Sequence, residues 1–252
     1  MKLHQIIFSH TGGTRRVSEI LCKGMGNESV VTDLCVKAAD IQLPDIYEDD
    51  LAVIAMPVFA GRVPALAVER LRRVNPHGAK CVVVAVYGNR AYDDALLEIQ
   101  DVASEIGFRV IAAVGAVAEH SIIRIYGKGR PDADDEQMLR QFGVDIMRKA
   151  EGSDCTMPQV PGNRPYKKGG KVPHPKGRRR CNRCGVCAKQ CPMDAIPLSD
   201  PKKVDASKCI SCMKCVSVCP TGSRSIGVVM NFLATQGLKK PCATRKEKEL
   251  YL

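Results

Sequence analysis

The chain of 252 residues is long enough for one domain of ordinary size and one small domain. Its apolar fraction of 45% suits a globular protein, and no apolar run approaches the length of a membrane span. The formal net charge is +11 at pH 7, but an aromatic content of 4% argues against a nucleic-acid surface built on stacking side chains. The first apolar run is too short for a secretory signal, so we expect a cytoplasmic protein.

The first 150 residues alternate apolar runs with amphipathic stretches. Runs rich in Val, Ile and Ala predict five buried strands at Leu3–Phe8, Ser29–Asp33, Leu51–Pro57, Cys81–Tyr87 and Val110–Ala118. Helical spacing of apolar residues predicts helices at Thr14–Met25, Val63–Arg73, Tyr92–Ile106 and about Asp134–Ala150. Strands that alternate with helices predict a parallel sheet covered on both faces, an α/β domain over residues 1–150.

The loop between the first strand and the first helix carries three hydroxyls and two glycines in six residues, Ser9-His10-Thr11-Gly12-Gly13-Thr14. Glycines let backbone N–H groups approach a phosphate, and the dipole of the following helix favours its negative charge. No Lys follows the glycines as in a nucleoside-triphosphate loop, and no G-x-G-x-x-G is present for a dinucleotide. The loop therefore predicts a terminal-phosphate site, with a simple N-cap and turn as the alternative.

The alternation of strands and helices ends at residues 151–180, which contain repeated prolines and glycines. They predict an extended connector between two domains. The charge changes in the same place. Residues 1–154 carry 18 Lys/Arg and 22 Asp/Glu, whereas residues 155–252 carry 20 Lys/Arg and 5 Asp/Glu. A surplus of positive charge of this size in residues 155–252 indicates one of two things: it compensates the negative charge of a bound group, or it forms a docking surface for an acidic partner.

Eight of the 13 cysteines form two copies of one pattern, Cys181-x-x-Cys184-x-x-Cys187-x-x-x-Cys191-Pro192 and Cys209-x-x-Cys212-x-x-Cys215-x-x-x-Cys219-Pro220. The pattern resembles bacterial ferredoxins with two 4Fe–4S clusters, and zinc sites or disulfides fit it less well. In that family the fourth cysteine of each copy ligates the other cluster. The resemblance implies Cys181, Cys184, Cys187 and Cys219 for cluster 1, and Cys209, Cys212, Cys215 and Cys191 for cluster 2. We expect a small α+β ferredoxin-like domain over 181–226, then a C-terminal helix and charged tail over 227–252.

The loop Ser9-x-Thr11-Gly12-x-Thr14 resembles the FMN phosphate loop of flavodoxins. That resemblance implies a five-stranded parallel sheet of order 2-1-3-4-5, with FMN at the carboxyl ends of the strands. It implies phosphate contacts from Ser9, Thr11, Gly12, Gly13 and Thr14, and ring contacts from Pro57, Phe59, Ala60, Gly61, Gly88, Asn89, Arg90 and Tyr92. With the cysteine pattern and Arg245–Glu249, the whole chain resembles fusions of a flavodoxin-like domain with a two-cluster ferredoxin domain.

Several features depart from these families. The chain has no Trp, so Phe59 and Tyr92 are the aromatic candidates for the flavin ring, with core packing as the alternative. Arg62 and Arg90 could stabilise reduced flavin, bind a substrate carboxylate or pair with Asp93 or Asp94. His120 could donate a proton to the flavin or lie in solvent.

The second cysteine copy also departs from the ferredoxin pattern. After Cys219-Pro220 the chain reads Thr221-Gly222-Ser223-Arg224, where ferredoxins usually have Ala-Ile. Polar residues there predict that cluster 1 is more exposed or more hydrogen-bonded than cluster 2, and so has the higher potential. The remaining cysteines have no assigned role: Cys22, Cys35, Cys81, Cys155 and Cys242.

These patterns predict electron transfer between FMN and two clusters, by an electron carrier or by a reductase of a small molecule. No NAD(P)H fingerprint is visible, so the expected partner is a redox protein such as an acidic ferredoxin or flavoprotein. Transfer between the protomers of a homodimer stays open. The alternative is a regulatory protein whose flavodoxin-like domain is empty or redox-sensing and whose basic domain docks a partner.

Overall fold

The computed structural model describes residues 1–26, 28–170 and 172–252. Its first part is an α/β unit with strands β1 (Leu3–Ile7), β2 (Ser29–Asp33), β3 (Leu51–Pro57), β4 (Lys80–Tyr87) and β5 (Arg109–Val117). The helices of this unit are α1 (Gly13–Met25), α2 (Ala65–Leu71), α3 (Ala95–Glu105) and α4 (Ala133–Glu151). All of these elements were predicted, and each end lies within three residues of the prediction.

The five strands are parallel and lie in the order β2-β1-β3-β4-β5. This is the predicted flavodoxin-like order, so the fold prediction is confirmed. The loops that follow β1, β3, β4 and β5 meet at the carboxyl edge of the sheet. Ligands of open α/β sheets bind at this edge.

The core occupies both faces of the sheet. One face packs beneath α2 and α3 through side chains such as Leu71 and Ile99, and the other beneath α1 and α4 through side chains such as Val17 and Leu139. Helices α1 and α4 approach closely because Gly24 and Gly143 lie at their contact. A Cβ atom at either glycine would collide with the backbone of the other helix.

The sheet has a sixth strand, beside β5, that the sequence did not predict. It is the last strand of the chain, β8 (Glu249–Tyr251), because β6 and β7 belong to the cysteine-rich region described below. It pairs antiparallel with β5, with Gly115 opposite Glu249. The expected charged tail therefore returns to the first unit and covers the edge of its sheet. Asn89 fixes the segment that leads into β8, because its side-chain amide donates a hydrogen bond to the carbonyl oxygen of Thr244 at 3.0 Å.

A buried carboxylate at the start of α4 anchors the same tail. Asp135 accepts two hydrogen bonds from the guanidinium of Arg130, at 2.7 and 2.5 Å. Arg245 Nη2 lies 3.1 Å and Lys248 Nζ lies 3.4 Å from Asp135 Oδ1. Arg130 also donates to the carbonyl oxygen of Lys246 at 2.6 Å. One carboxylate therefore connects α4 to the last ten residues of the chain.

The connector packs along α3 instead of standing free. The backbone N–H groups of Asn163 and Lys167 donate to the two carboxylate oxygens of Asp94, at 2.9 and 2.7 Å. Further along α3, the hydroxyl of Tyr166 donates to Asp101. These contacts give the proline-rich segment a defined course from the α/β unit to the cysteine-rich region.

The cysteine-rich region contains two short helices, α5 (Val186–Lys189) and α6 (Lys214–Ser217), and an antiparallel pair, β6 (Lys176–Gly177) and β7 (Arg224–Ser225). It is followed by the predicted C-terminal helix, α7 (Val228–Lys239). No helix of the described residues is long and apolar enough to cross a membrane.

Candidate functional site

The second cysteine set surrounds one apolar cavity. The lining contains Cys191, Cys209, Cys212 and Cys215 with apolar neighbours such as Ile196. These four are the ligands that the ferredoxin pattern implies for cluster 2, and the structure brings them together. Burial raises the pKa of Cys212 to about 12 and that of Cys215 to about 11. A metal centre that binds these thiols must therefore displace their protons.

The first cysteine set lies nearer to solvent. Cys184 is exposed, Cys181 and Cys219 are half-buried, and Cys187 is buried beneath them. Burial alone would raise the pKa of Cys219, but hydrogen bonds from the side chain of Thr221 and from the backbone of Arg224, Ser223 and Thr221 lower it below its ordinary value. The hydroxyl oxygen of Thr221 lies 3.6 Å from Cys219 Sγ. The structure therefore shows the hydrogen bonds that the polar residues after Cys219 predicted.

The phosphate loop presents an uncapped helix N-terminus. Gly12 has φ of 94°, a left-handed conformation that favours glycine, and the first turn of α1 has neither a side-chain cap nor an acidic residue. Ser9 closes the loop by accepting a hydrogen bond from the backbone N–H of Arg15 at 3.1 Å. At Gly13 a Cβ atom would lie 3.1 Å from Ala118 Cβ, so the loop packs tightly on the residue that follows β5. The first N–H groups of α1 are therefore available to an anion.

Two adjoining cavities open at the carboxyl edge of the sheet. The smaller, about 50 Å³, is lined by Ser9, His10, Thr11, Gly13 and Thr14 of the phosphate loop, and by Pro57 and Cys212. The larger, about 280 Å³, lies between Phe59, Ala60, Gly61 and Arg90 on one side and Val172, Ser211, Ala234 and Leu238 on the other. Val58, Phe59 and Ser121 line both cavities. The larger one approaches the lower end of ordinary ligand pockets, about 300 Å³.

Among residues 1–26, 28–170 and 172–252, the titratable side chains that line the larger cavity are His120 and Arg90. His120 Nδ1 accepts hydrogen bonds from the backbone N–H groups of Ile122 and Ile123, both at 3.1 Å. Burial lowers the pKa of His120, so the ring is neutral near pH 7 and carries its proton on Nε2. Arg90 is paired with Asp93. From the described side chains, the cavity therefore has one neutral N–H donor, His120, and one cation, Arg90, that an acid partly neutralises.

Comparison with known proteins assigns the cysteine-rich region. Residues 180–223 match the family model for a 4Fe-4S dicluster domain. A ferredoxin-like protein in the nif region of Sinorhizobium fredii is 42% identical over 48 residues, a match that covers 16% of this chain and 75% of that relative. The chain belongs to this ferredoxin family. Its cluster domain binds 4Fe–4S iron–sulfur centres.

Solved structures resemble the α/β unit of this ferredoxin. A flavodoxin from the domain Archaea is 18% identical, with 60% of this chain and 100% of that chain covered and a TM-score of 0.45. A Streptococcus pneumoniae flavodoxin is 20% identical, with 58% and 99% covered and a TM-score of 0.41. Rubredoxin oxygen:oxidoreductase from Desulfovibrio gigas is 12% identical, with 60% and 36% covered and a TM-score of 0.43. At such low similarity, the flavodoxin-like fold rests on the strand order of the sheet itself.

Three expected ring contacts of this ferredoxin lie outside both cavities. Tyr92 is buried and its hydroxyl pairs with Glu249 and, at 2.9 Å, with the hydroxyl of Tyr251, because β8 draws the ring into the core. The side-chain amide of Asn89 is hydrogen-bonded to the backbone of the C-terminal tail, at Cys242, Thr244 and Lys246. Gly88 faces His120, whose side chain lies within 2.7 Å of where a Cβ atom would be. These three residues therefore pack behind the walls of the two cavities and do not line either of them.

Arg62 also lies outside both cavities. Its guanidinium forms a bidentate pair with Glu98, at 2.8 and 2.7 Å, and stacks on the ring of Tyr166 at 4.7 Å. Arg62 therefore pairs with an acid, but with Glu98 on α3 and not with the predicted Asp93 or Asp94, because Glu98 faces the loop after β3. Its contacts hold the loop after β3 against α3 and the connector.

Sequence reasoning missed the far wall of the larger cavity. Val172 and Pro173 come from the connector, Ser211 from the cluster domain, and Ala234 and Leu238 from α7. No local pattern marks these residues, since each reaches the cavity through long-range packing. The connector, the cluster domain and α7 therefore together form the wall of this cavity that faces the loops of the α/β unit.

Proposed function

We propose that this ferredoxin transfers electrons between a bound FMN and two 4Fe–4S clusters. The observation that carries the proposal is the position of Cys212, which lines both the cluster 2 cavity and the phosphate-loop cavity. Its neighbour Ser211 lines both the cluster 2 cavity and the larger cavity. The proposed flavin site and the proposed cluster 2 site therefore share these two residues as a common wall.

The residues present fit FMN. The hydroxyls of Thr11 and Thr14 and the open N-terminus of α1 suit a terminal phosphate. Phe59 and the aliphatic side chains across the larger cavity suit a planar apolar ring, and His120 Nε2 can donate a hydrogen bond to it. When bound, FMN supplies two-electron chemistry and each cluster supplies one-electron chemistry.

Three of the four proposed ligands of cluster 1, Cys181, Cys184 and Cys219, lie at least partly exposed to an external partner. Exposed basic residues surround this set: Arg178, Arg179, Arg180, Arg183 and Lys189. In the described part of the chain, none of the five takes part in an ion pair. An acidic redox protein would be steered to such a surface. We therefore propose that electrons exchange with an acidic partner at cluster 1, and that cluster 2 links cluster 1 to the flavin.

The partner proposal predicts a salt-sensitive reaction. With reduced acidic ferredoxin as the donor, stopped-flow measurements should show the second-order rate constant falling about tenfold or more as ionic strength rises past about 0.15 M. Reversing charge with R178E, R179E and R180E together should cause a similar loss at low salt. Three reversals on the other domain, K23E, R73E and R140E together, change the net charge by the same amount and should have little effect. If both sets of reversals lowered the rate constant equally, the reaction would depend on the net charge of the protein and not on the surface around cluster 1, which would contradict the proposal.

The flavin proposal predicts that the phosphate loop can be disabled without loss of clusters. Anaerobically purified protein should contain about one FMN, eight iron and eight sulfide per chain. The double variant T11V/T14V should bind FMN at least about tenfold more weakly, since a hydrogen bond to a charged group contributes about 1.5–3 kcal/mol. Its iron and sulfide should be unchanged.

The exposed T156V variant serves as the matched control for these substitutions and should keep full FMN affinity. Wild-type protein with eight iron but no flavin would contradict the proposed function. It would favour the regulatory alternative.

A further inference from the structure

Arg224 is the most deeply buried basic side chain of the cluster domain. It lies on β7, and only 2% of its surface is exposed. Two backbone carbonyl oxygens hold its guanidinium: Nη1 donates to Pro201 at 2.5 Å and Nη2 donates to Pro175 at 2.8 Å. A guanidinium held from two sides in this way has a fixed position, so its charge acts at a fixed point in the domain.

This fixed charge lies beside ligands of both clusters. Arg224 Nη1 is 3.6 Å from the sulfur of Cys187, which belongs to the cluster 1 set. Strand β7, which carries Arg224, also packs against α6, which carries Cys215 of the cluster 2 set. Cys187 and Cys215 belong to one buried cluster of side chains. One side chain therefore lies between the two sets.

The guanidinium has no carboxylate partner among residues 1–26, 28–170 and 172–252. Its described partners are the two carbonyl oxygens and the Cys187 sulfur, and its Nε is buried without an acceptor. Burying a cation without an anion is costly, so a buried Arg is normally paired. The anions within its reach are the thiolates of the two cluster sets.

We propose that Arg224 is a shared counter-ion of the two 4Fe–4S clusters and raises the reduction potential of both. The inference rests on the cluster ligand sets of the proposed function. Each reduction adds an electron to a negatively charged centre, and a fixed neighbouring cation favours the reduced form. The carbonyl oxygens of Pro175 and Pro201 position the charge, so Arg224 acts on the clusters as a positioning residue.

Two variants separate charge from structure. R224Q removes the charge but keeps N–H donors for the carbonyl oxygens. R224K keeps the charge but loses the planar guanidinium group, which bonds both carbonyl oxygens at once. The full-length protein, reconstituted with iron and sulfide, is titrated under anaerobic conditions and followed by EPR of the reduced clusters. The exposed Lys240, substituted as K240Q, controls for the loss of one positive charge from the chain.

We expect both midpoint potentials to fall in R224Q, with the equilibrium constant of reduction down about tenfold, which equals about 59 mV for a one-electron couple. R224K should stay closer to wild type, and K240Q should match wild type. Clusters that assemble in R224K but not in R224Q would also support the proposal, because charge is what R224K keeps.

Full cluster content with wild-type potentials in R224Q would overturn the counter-ion role and leave the proposed function intact. A fall confined to one cluster would overturn the shared role. Wild-type protein without clusters would instead contradict the proposed function, so the iron and sulfide counts distinguish the two failures.

Discussion

Replacing Cys212 by alanine is expected to remove cluster 2 and to stop electron exchange between cluster 1 and the flavin. Cys212 belongs to the four-cysteine cavity and also lines the phosphate-loop cavity. Iron and sulfide should fall from about eight to about four per chain, since the other set keeps all four of its ligands. FMN should be retained. Stopped-flow reduction by an external one-electron donor should still reduce cluster 1, whereas reduction of the flavin should slow by orders of magnitude.

The matched control for this experiment is C155S, because Cys155 is an exposed cysteine outside both ligand sets. It should keep eight iron and the wild-type rate of flavin reduction. A C212A protein that loses cluster 2 but reduces its flavin at the wild-type rate would contradict the proposed path through cluster 2.

Replacing Asp135 by asparagine is expected to cause a large loss of stability, about 3–5 kcal/mol in the free energy of unfolding. The substitution keeps the shape of the side chain and removes the negative charge that Arg130, Arg245 and Lys248 share. Arg130 and Lys248 are nearly buried, so their charges would be left without their shared carboxylate. Urea unfolding followed by circular dichroism measures this difference.

D134N is the control for the same helical turn, since Asp134 is exposed and should contribute within about 0.5 kcal/mol. The pH dependence provides a second measurement. Burial alone would raise the pKa of Asp135, but hydrogen bonds and the charge of Arg130 lower it below its ordinary value. Its stabilisation should therefore be complete above about pH 4 and lost as the pH falls through the lowered pKa. A D135N protein as stable as D134N at pH 7 would contradict this account.

The parallel sheet and the cysteine sets were predictable because their signals are local. A run such as Leu51–Pro57, apolar on both faces, is typical of a strand buried on both sides, and alternation with helices implies parallel order. The cysteine spacing is likewise a local pattern, and residues 180–223 match the dicluster family that it predicted.

Strand β8 was not predictable because its residues, Glu249–Tyr251, show no strand pattern of their own. They become a strand by pairing with the edge of β5. The same pairing explains why the prediction for Tyr92 differs from the structure. Its position after β4 suits a flavin contact, but Glu249 and Tyr251 draw its hydroxyl into the core. Contacts across more than 150 residues decide the direction of this side chain.

The most direct test of the flavin-to-cluster account is intramolecular electron transfer in the intact protein. A light pulse reduces the bound flavin under anaerobic conditions, and absorbance then follows its reoxidation and the bleaching of the clusters at several protein concentrations. The account predicts that both changes share one first-order rate constant that does not depend on protein concentration. Clusters that stay oxidised, or a rate proportional to protein concentration, would contradict it.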